Sequence, residues 1–107
     1  MNFNFGLRQS DVIALHGILE KYPAIEQACI FGSRAKGNFR PGSDVDIALK
    51  GTGLTLHVIN NISFELNEET TMPYKFDVLN YHTITDPALL DHINRAGIVF
   101  YEKASTS

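Results

Sequence analysis

The segment from Ile30 to Leu49, IFGSRAKGNFRPGSDVDIAL, constrains the fold of this chain more than any other part of the sequence. One apolar run ends at Gly32-Ser33, and a second run opens ten residues later with Asp44-Val45-Asp46. The residues between them include two glycines and one proline, which favour a turn or loop over a regular element. The segment therefore predicts two short strands joined by a loop, with room for one helical turn after Ser33.

Hydrophobic periodicity and end signals predict the remaining helices and strands. The predicted elements are a helix capped by Ser10 or Asp11 and ending near Lys21, strands over 25–31, 44–49 and 75–81, a helix over 54–69, a helix that starts after Asp86-Pro87 and stops at Gly97, and a short strand or docked tail over 98–101. Residues 104–107 are expected to fray.

Length and charge narrow the possible classes of protein. A chain of 107 residues is expected to form one domain, spanning 1–107. The net charge of −3 argues against a domain built to grip nucleic acid, which usually carries a basic excess. A single cysteine, no signal-peptide pattern and no apolar run of about 20 residues lead us to expect a cytoplasmic protein without a membrane segment.

Three aspartates are the candidates for metal binding. Asp44 and Asp46 are predicted to share one face of the second strand, because alternate strand residues point the same way. Two carboxylates on one face repel each other and are costly to bury, so such a pair is usually exposed, protonated or bound to a cation. Mg²⁺ commonly takes one or two protein carboxylates. Asp77 lies in the third predicted strand. If that strand adjoins the second, three carboxylates could hold two metal ions for phosphoryl transfer.

Gly32 and Ser33 are the candidates for binding phosphate. A glycine lets the backbone approach a phosphate closely, and successive amides with a hydroxyl form an anion-binding nest. Arg34 adjoins this turn, and it is the best placed of the nearby basic residues to meet a triphosphate. Simpler interpretations stay open, namely solubilising charges for Asp44 and Asp46 and an ion pair with Lys75 for Asp77.

The spacing Gly32-Ser33, ten residues, then Asp44-x-Asp46 resembles the signature of the DNA polymerase β-like nucleotidyltransferase superfamily. The wider string over residues 30–49 is similar to its minimal nucleotidyltransferase (MNT) branch. This resemblance implies an α+β fold with a small mixed β-sheet flanked by helices. It also implies that Asp44, Asp46 and Asp77 bind metal and serve catalysis, and that Gly32 and Ser33 contact the nucleotide, with Arg34 added as a candidate because it adjoins them.

The resemblance further implies a partner and a substrate. MNT proteins typically accompany a HEPN-domain ribonuclease toxin, and they act as its antitoxin by transferring AMP from ATP to a toxin tyrosine with Mg²⁺, here expected as two ions. The alternative is a non-catalytic antitoxin that neutralises the toxin by forming a complex. A third possibility is transfer to a small molecule or an RNA end, although such relatives usually carry extra domains and the acidic charge opposes RNA binding.

Overall fold

The computed structural model describes residues 5–103, which form four helices, four strands and one 3-10 turn. In chain order the elements are α1 (Gln9–Glu20), β1 (Gln27–Phe31), α2 (Ser33–Lys36), β2 (Val45–Lys50), α3 (Leu56–Glu68), β3 (Phe76–Asn80), the 3-10 turn (Tyr81–Thr83), α4 (Pro87–Ala96) and β4 (Ile98–Glu102). The predicted fraying of residues 104–107 lies outside the described residues.

The four strands form one mixed sheet in the order β3-β2-β1-β4. β1 runs antiparallel to both of its neighbours, β2 and β4, whereas β2 and β3 are parallel. The parallel pair is connected through α3, as a parallel crossover requires. The α+β class with a small mixed sheet and flanking helices is therefore confirmed.

Side chains alternate between the two faces of the sheet and build two apolar clusters. On one face, the strands pack against α1 and α3 through residues such as Ile47, Leu15 and Ile62, all of which are fully buried. On the other face, Cys29, Phe31 and Ala48 pack against Ile93 of α4. The helix α4 thus lies on the face of the sheet that also carries Phe31, the residue before Gly32.

Most predicted elements are present, with shifted ends. The strand predicted over 25–31 begins two residues later, and the chain end predicted as a strand or docked tail is the strand β4, paired with β1. The helix α4 is capped by Asp86, whose carboxylate accepts the Ala88 amide hydrogen bond at 3.0 Å, as its sequence predicts. Within residues 5–103, no helix is long and apolar enough to cross a membrane.

The predicted cap of α1 is wrong. The helix begins at Gln9 with Arg8 as its cap residue, so Ser10 and Asp11 lie inside the first turn. Asp11 reaches back instead, and its carboxylate accepts hydrogen bonds from the Arg8 backbone N–H at 3.0 Å and from the Arg8 guanidinium. An acidic side chain at the third helical position satisfies an amide that the helix itself leaves unpaired.

Candidate active site

Three neighbouring strands bring two of the predicted carboxylates into one row. Phe31 at the end of β1 lies opposite Asp46 on β2, and Asp46 lies opposite Asp77 on β3. Because the side chains at one level of a sheet share a face, Asp46 and Asp77 point to the same side as Phe31 and Ala48. The condition set by the sequence, that the third strand should adjoin the second, is met.

Asp46 is the partly buried member of the group, and Asp44 and Asp77 are exposed. The pKa of the Asp46 carboxyl is raised, first because burial disfavours its charged form and then because the charges of Asp77 and Asp44 repel it. His92 and Arg34 oppose this rise. The negative charges of Asp44, Asp46 and Asp77 therefore repel one another, and a bound cation would reduce this repulsion.

Asp44 occupies a different position from the one expected. The strand β2 begins at Val45, so Asp44 lies one residue before it and not on its regular pleat. The Val45 amide hydrogen-bonds to the Lys75 carbonyl at 2.8 Å, which joins the start of β2 to the residue before β3. This contact anchors the backbone next to Asp44, and the charge of Asp44 still acts on Asp46.

The donor set suits magnesium, although the described side chains do not already surround an ion. Within residues 5–103, no group of three or more His, Cys, Asp or Glu side chains is arranged to hold a metal. Mg²⁺ needs only one or two protein carboxylates and completes its octahedron with water and substrate phosphate. The carboxylates of Asp46 and Asp77, with Asp44 nearby, fit that requirement, and their mutual repulsion favours a cation between them.

The Gly32 turn lies directly against Asp46. Gly32 has φ +73° and ψ −152°, a backbone region that is essentially restricted to glycine. A Cβ atom added there would come within 2.3 Å of the Asp46 Oδ2 atom. Glycine is therefore required twice, by the backbone angles and by the closeness of the carboxylate. Ser33 follows at once as the first residue of α2, so the predicted phosphate-binding turn and the carboxylate row are adjacent.

His92 is a site residue that the sequence did not reveal. Its Nε2 atom accepts a hydrogen bond from the Gly32 N–H at 2.9 Å, and its ring meets the Phe31 ring edge to face with centroids 6.0 Å apart. The available sequence signal was its place in a predicted helix, next to the apolar Ile93, which does not show that the imidazole reaches Gly32.

Arg34 is buried, with 3% of its surface exposed, and its guanidinium is held by contacts within the protein. It donates hydrogen bonds to the Phe5 carbonyl at 2.8 Å and to the Ser43 carbonyl at 2.8 and 3.2 Å. It also lies over the rings of Phe39 and Tyr74, at 5.1 and 5.0 Å from their centroids. A direct contact with a nucleotide would require some of these bonds to break, so the geometry favours a role in holding the loop that leads to Asp44.

Two cavities lie on opposite faces of the sheet. One of about 420 Å³ adjoins the Gly32 turn and is lined by Lys36, Asp91, His92, Arg95 and Ala96. A larger one of about 670 Å³ lies along α3 and the segment before β3, on the face away from Asp46 and Asp77. The smaller cavity is the relevant one, because it borders the turn and contains two cationic side chains. Arg95 is paired with Asp91 at 3.2 Å on the surface.

Lys50 and His82 lie away from the Gly32 turn. Lys50 lies over the Tyr81 ring at 4.4 Å, at the far end of β2 from Asp46. His82 accepts a hydrogen bond from the Gly51 N–H at 3.1 Å, also at that far end. Neither side chain reaches the carboxylate row.

Comparison with known proteins identifies the family and the fold. Residues 14–106 match the family described as "Polymerase beta, Nucleotidyltransferase". No curated protein sequence matches the chain significantly. Several solved structures share the fold at low sequence identity.

A toxin–antitoxin crystal structure with AMP-PNP is 18% identical with a TM-score of 0.67, covering 96% of this chain and 75% of that one. The toxin–antitoxin complex MntA-HepT is 15% identical with a TM-score of 0.66, covering 90% and 74%. A tri-AMPylated HEPN toxin from Shewanella oneidensis in complex with its MNT antitoxin is 16% identical with a TM-score of 0.62, covering 92% and 73%. At these identities the likeness establishes the fold alone.

Proposed function

This chain belongs to the polymerase β nucleotidyltransferase family, and from that premise we propose that it transfers AMP from ATP to a tyrosine of a HEPN-domain toxin and so acts as its antitoxin. One observation carries the proposal. The Gly32 turn lies against Asp46, which in turn lies opposite Asp77 across the sheet. A phosphate-binding turn and two carboxylates on one sheet end suit phosphoryl-group chemistry.

The similar structures support the choice of substrate and partner. One contains AMP-PNP, an analogue of ATP. Another contains a HEPN toxin that carries AMP groups and is bound to an MNT antitoxin. They match nearly the whole of this chain, so the same kind of nucleotide and the same kind of partner are the natural first candidates.

Each site residue has a proposed task. The Gly32-Ser33 turn binds the triphosphate, and Asp44 and Asp46 would hold a metal ion that neutralises phosphate charge. Asp77 helps to hold a second ion and orients or deprotonates the tyrosine hydroxyl. Bound Mg²⁺ would neutralise charge on the phosphate oxygens and draw the carboxylates together. Arg34 holds the loop before Asp44 in place through its hydrogen bonds to the carbonyls of Ser43 and Phe5.

The proposed transfer needs no reactant other than ATP and the tyrosine. The tyrosine oxygen attacks the α-phosphorus of ATP and forms a phosphodiester bond. The bond from the α-phosphorus to the bridging oxygen breaks, and pyrophosphate leaves with that electron pair. The hydroxyl proton passes to Asp77 or to solvent. Positioning and charge neutralisation supply most of the rate in such a transfer.

The alternative is an antitoxin that acts by binding alone. It is favoured by the position of Asp44, which is exposed and lies before β2, outside the row formed by Asp46 and Asp77. A protein of this kind would form a stable complex with its toxin without modifying it.

Intact-mass spectrometry separates the two possibilities. The HEPN-domain protein encoded beside this chain is incubated with the chain, ATP and Mg²⁺. We expect its mass to increase by one or more AMP groups with the wild type and with Glu68→Gln, an exposed carboxylate on the opposite face of the sheet. Asp46→Asn should give no increase. A stable complex without any mass increase for the wild type would favour the binding-only antitoxin.

A further inference from the structure

The Gly32 amide is held by a side chain from a distant part of the sequence. The pairing of β1 with β2 ends at Phe31 and Asp46, so the next amide, that of Gly32, lies beyond the sheet ladder. It donates its hydrogen bond to the Nε2 atom of His92, 60 residues away, at 2.9 Å. An acceptor at Nε2 requires the neutral imidazole to carry its proton on Nδ1.

The imidazole is presented by a well-anchored helix. The neighbouring Ile93 is buried in the apolar cluster under α4, and the edge-to-face contact with Phe31 fixes the ring plane. The start of α4 is capped by Asp86. His92 therefore approaches Gly32 from a rigid support, which is the arrangement that holds a functional group most accurately.

The turn needs such a restraint. Glycine has more backbone freedom than any other residue. Without a restraint, the Gly32 peptide could leave the φ and ψ angles that it adopts in this turn. The position of this peptide also limits the space next to Asp46, because a Cβ atom built on Gly32 would collide with the Asp46 Oδ2 atom. A hydrogen bond that holds the Gly32 N–H therefore restrains the turn and also the position of the Asp46 carboxylate beside it.

We propose that His92 is a positioning residue that holds the Gly32-Ser33 turn in the form that accepts a nucleotide. The inference rests on the proposed function, since it assigns His92 a task in that same site. The residue acts through the Gly32 amide.

Two substitutions separate the hydrogen bond from the packing. His92→Phe keeps an aromatic ring against Phe31 and removes the acceptor, whereas His92→Gln keeps an acceptor near the Nε2 position. His82→Phe is the matched control, because it removes an equivalent bond to the Gly51 amide at the far end of β2. The measurements are nuclear magnetic resonance of the isotope-labelled chain without nucleotide and calorimetric binding of Mg²⁺-ATP.

The wild type should show scalar coupling between the Gly32 amide nitrogen and His92 Nε2 across the hydrogen bond. His92→Phe should shift the Gly32, Ser33 and Asp46 amide resonances and weaken Mg²⁺-ATP binding about tenfold, which is the factor expected for loss of one well-placed hydrogen bond. His92→Gln should restore most of the affinity, and His82→Phe should leave it unchanged.

Several results would overturn the inference. These are an absence of coupling in the wild type, unshifted Gly32 and Ser33 resonances in His92→Phe, or equal loss of affinity in His92→Phe and His82→Phe. A wild type that shows the coupling and yet binds no Mg²⁺-ATP would contradict the proposed function instead. The coupling is read from the wild type, so the test stands even if a variant folds poorly.

Discussion

Gly32 shows how one residue links the backbone to the chemistry of the site. Its positive φ and the nearby Asp46 oxygen both exclude a side chain. The wild-type turn can therefore lie against the carboxylate, and no other residue type permits this.

Gly32→Ala is expected to lower stability by about 1–3 kcal/mol, the usual strain for a residue forced into a glycine-only region. It should also abolish Mg²⁺-ATP binding, because the new methyl group displaces Asp46. Thermal denaturation and calorimetric titration measure the two effects. Gly53→Ala is the control, because a Cβ there meets only ordinary contacts of 3.5 Å and the residue lies far from the site. Unchanged ATP affinity in Gly32→Ala would contradict the geometry described for the turn.

Asp46→Asn should abolish AMP transfer without lowering the stability of the metal-free protein. Ionised Asp46 is disfavoured by burial and by two neighbouring charges, so its pKa is raised in the folded state. A raised carboxyl pKa means that stability falls as the pH rises through that pKa, and the neutral amide avoids this loss. We expect the melting temperature of the metal-free variant at pH 7 to equal or exceed that of the wild type.

Mg²⁺ should raise the melting temperature of the wild type only. A clearly less stable metal-free variant would indicate a structural role for the carboxylate.

The placement of the Gly32 turn against Asp46 was the predictable part of the candidate site, because both come from one short string whose two strands pair as neighbours. Asp44 comes from the same string but lies before β2, and the roles of these residues stay predictions. His92 could not be found this way, since its place depends on how α4 crosses the sheet. The burial of Arg34 was equally hidden, because its acceptors are main-chain carbonyls of Phe5 and Ser43, which sequence does not identify.

At the level of elements, α1 is tied to the rest of the protein through Asp11. This carboxylate is 2% exposed and also accepts a hydrogen bond from the Tyr74 hydroxyl at 2.9 Å. Tyr74 in turn lies beside Arg34. The start of α1 and the loop before Asp44 are thus connected by one chain of contacts.

Asp11→Asn is expected to cost about 1–3 kcal/mol at pH 7, because the charge-assisted bonds around this group are lost. Hydrogen bonds from Arg8 hold the pKa of Asp11 below its ordinary value. A lowered pKa gives stability that is present above the ordinary value, near about 3.9, and is lost as the pH falls through the folded value. Denaturant unfolding from pH 7 down to pH 3 should therefore show the difference between wild type and variant shrinking. A constant difference would contradict this assignment.

Arg34→Lys should weaken both the loop and the site. A lysine ammonium cannot reproduce the planar fork that reaches Phe5 and Ser43 together, nor stack on Phe39 and Tyr74 as well. We expect a lower melting temperature and a fall in transfer rate smaller than that of Asp46→Asn. Transfer assays at 25 °C, below the melting transition, separate the two effects. A variant with normal stability and abolished ATP binding would instead support the direct nucleotide contact that the sequence suggested.

Elements were predictable where local signals mark both ends. The helix α4 has Asp86-Pro87 at its start and Gly97 after its end, and it appears at those limits. The start of α1 was misplaced because Arg8 is an unusual cap, and Asp11 supplies the bond from within the helix. The start of β2 was placed one residue early, because Asp44 continues the alternation although only Val45 joins the ladder.

For the molecule as a whole, the mixed sheet is what assembles the site. The order β3-β2-β1-β4 places β2 between the strand that ends in the turn and the strand that carries Asp77. Sequence alone suggested the adjacency only as a condition, because strand order depends on long-range packing. The resemblance to the nucleotidyltransferase superfamily implied a small mixed sheet flanked by helices, which the fold confirms, but it did not specify the strand order.

The most direct test of the proposed function follows the α-phosphate of ATP. ATP labelled at its α-phosphate, and separately at its γ-phosphate, is incubated with this chain, Mg²⁺ and the adjacent HEPN-domain protein, and label on that protein is measured after denaturing electrophoresis. We expect label only from the α-phosphate, on a tyrosine, with the wild type and not with Asp46→Asn. No label from the α-phosphate, or equal label with Asp46→Asn, would contradict adenylyl transfer by these carboxylates.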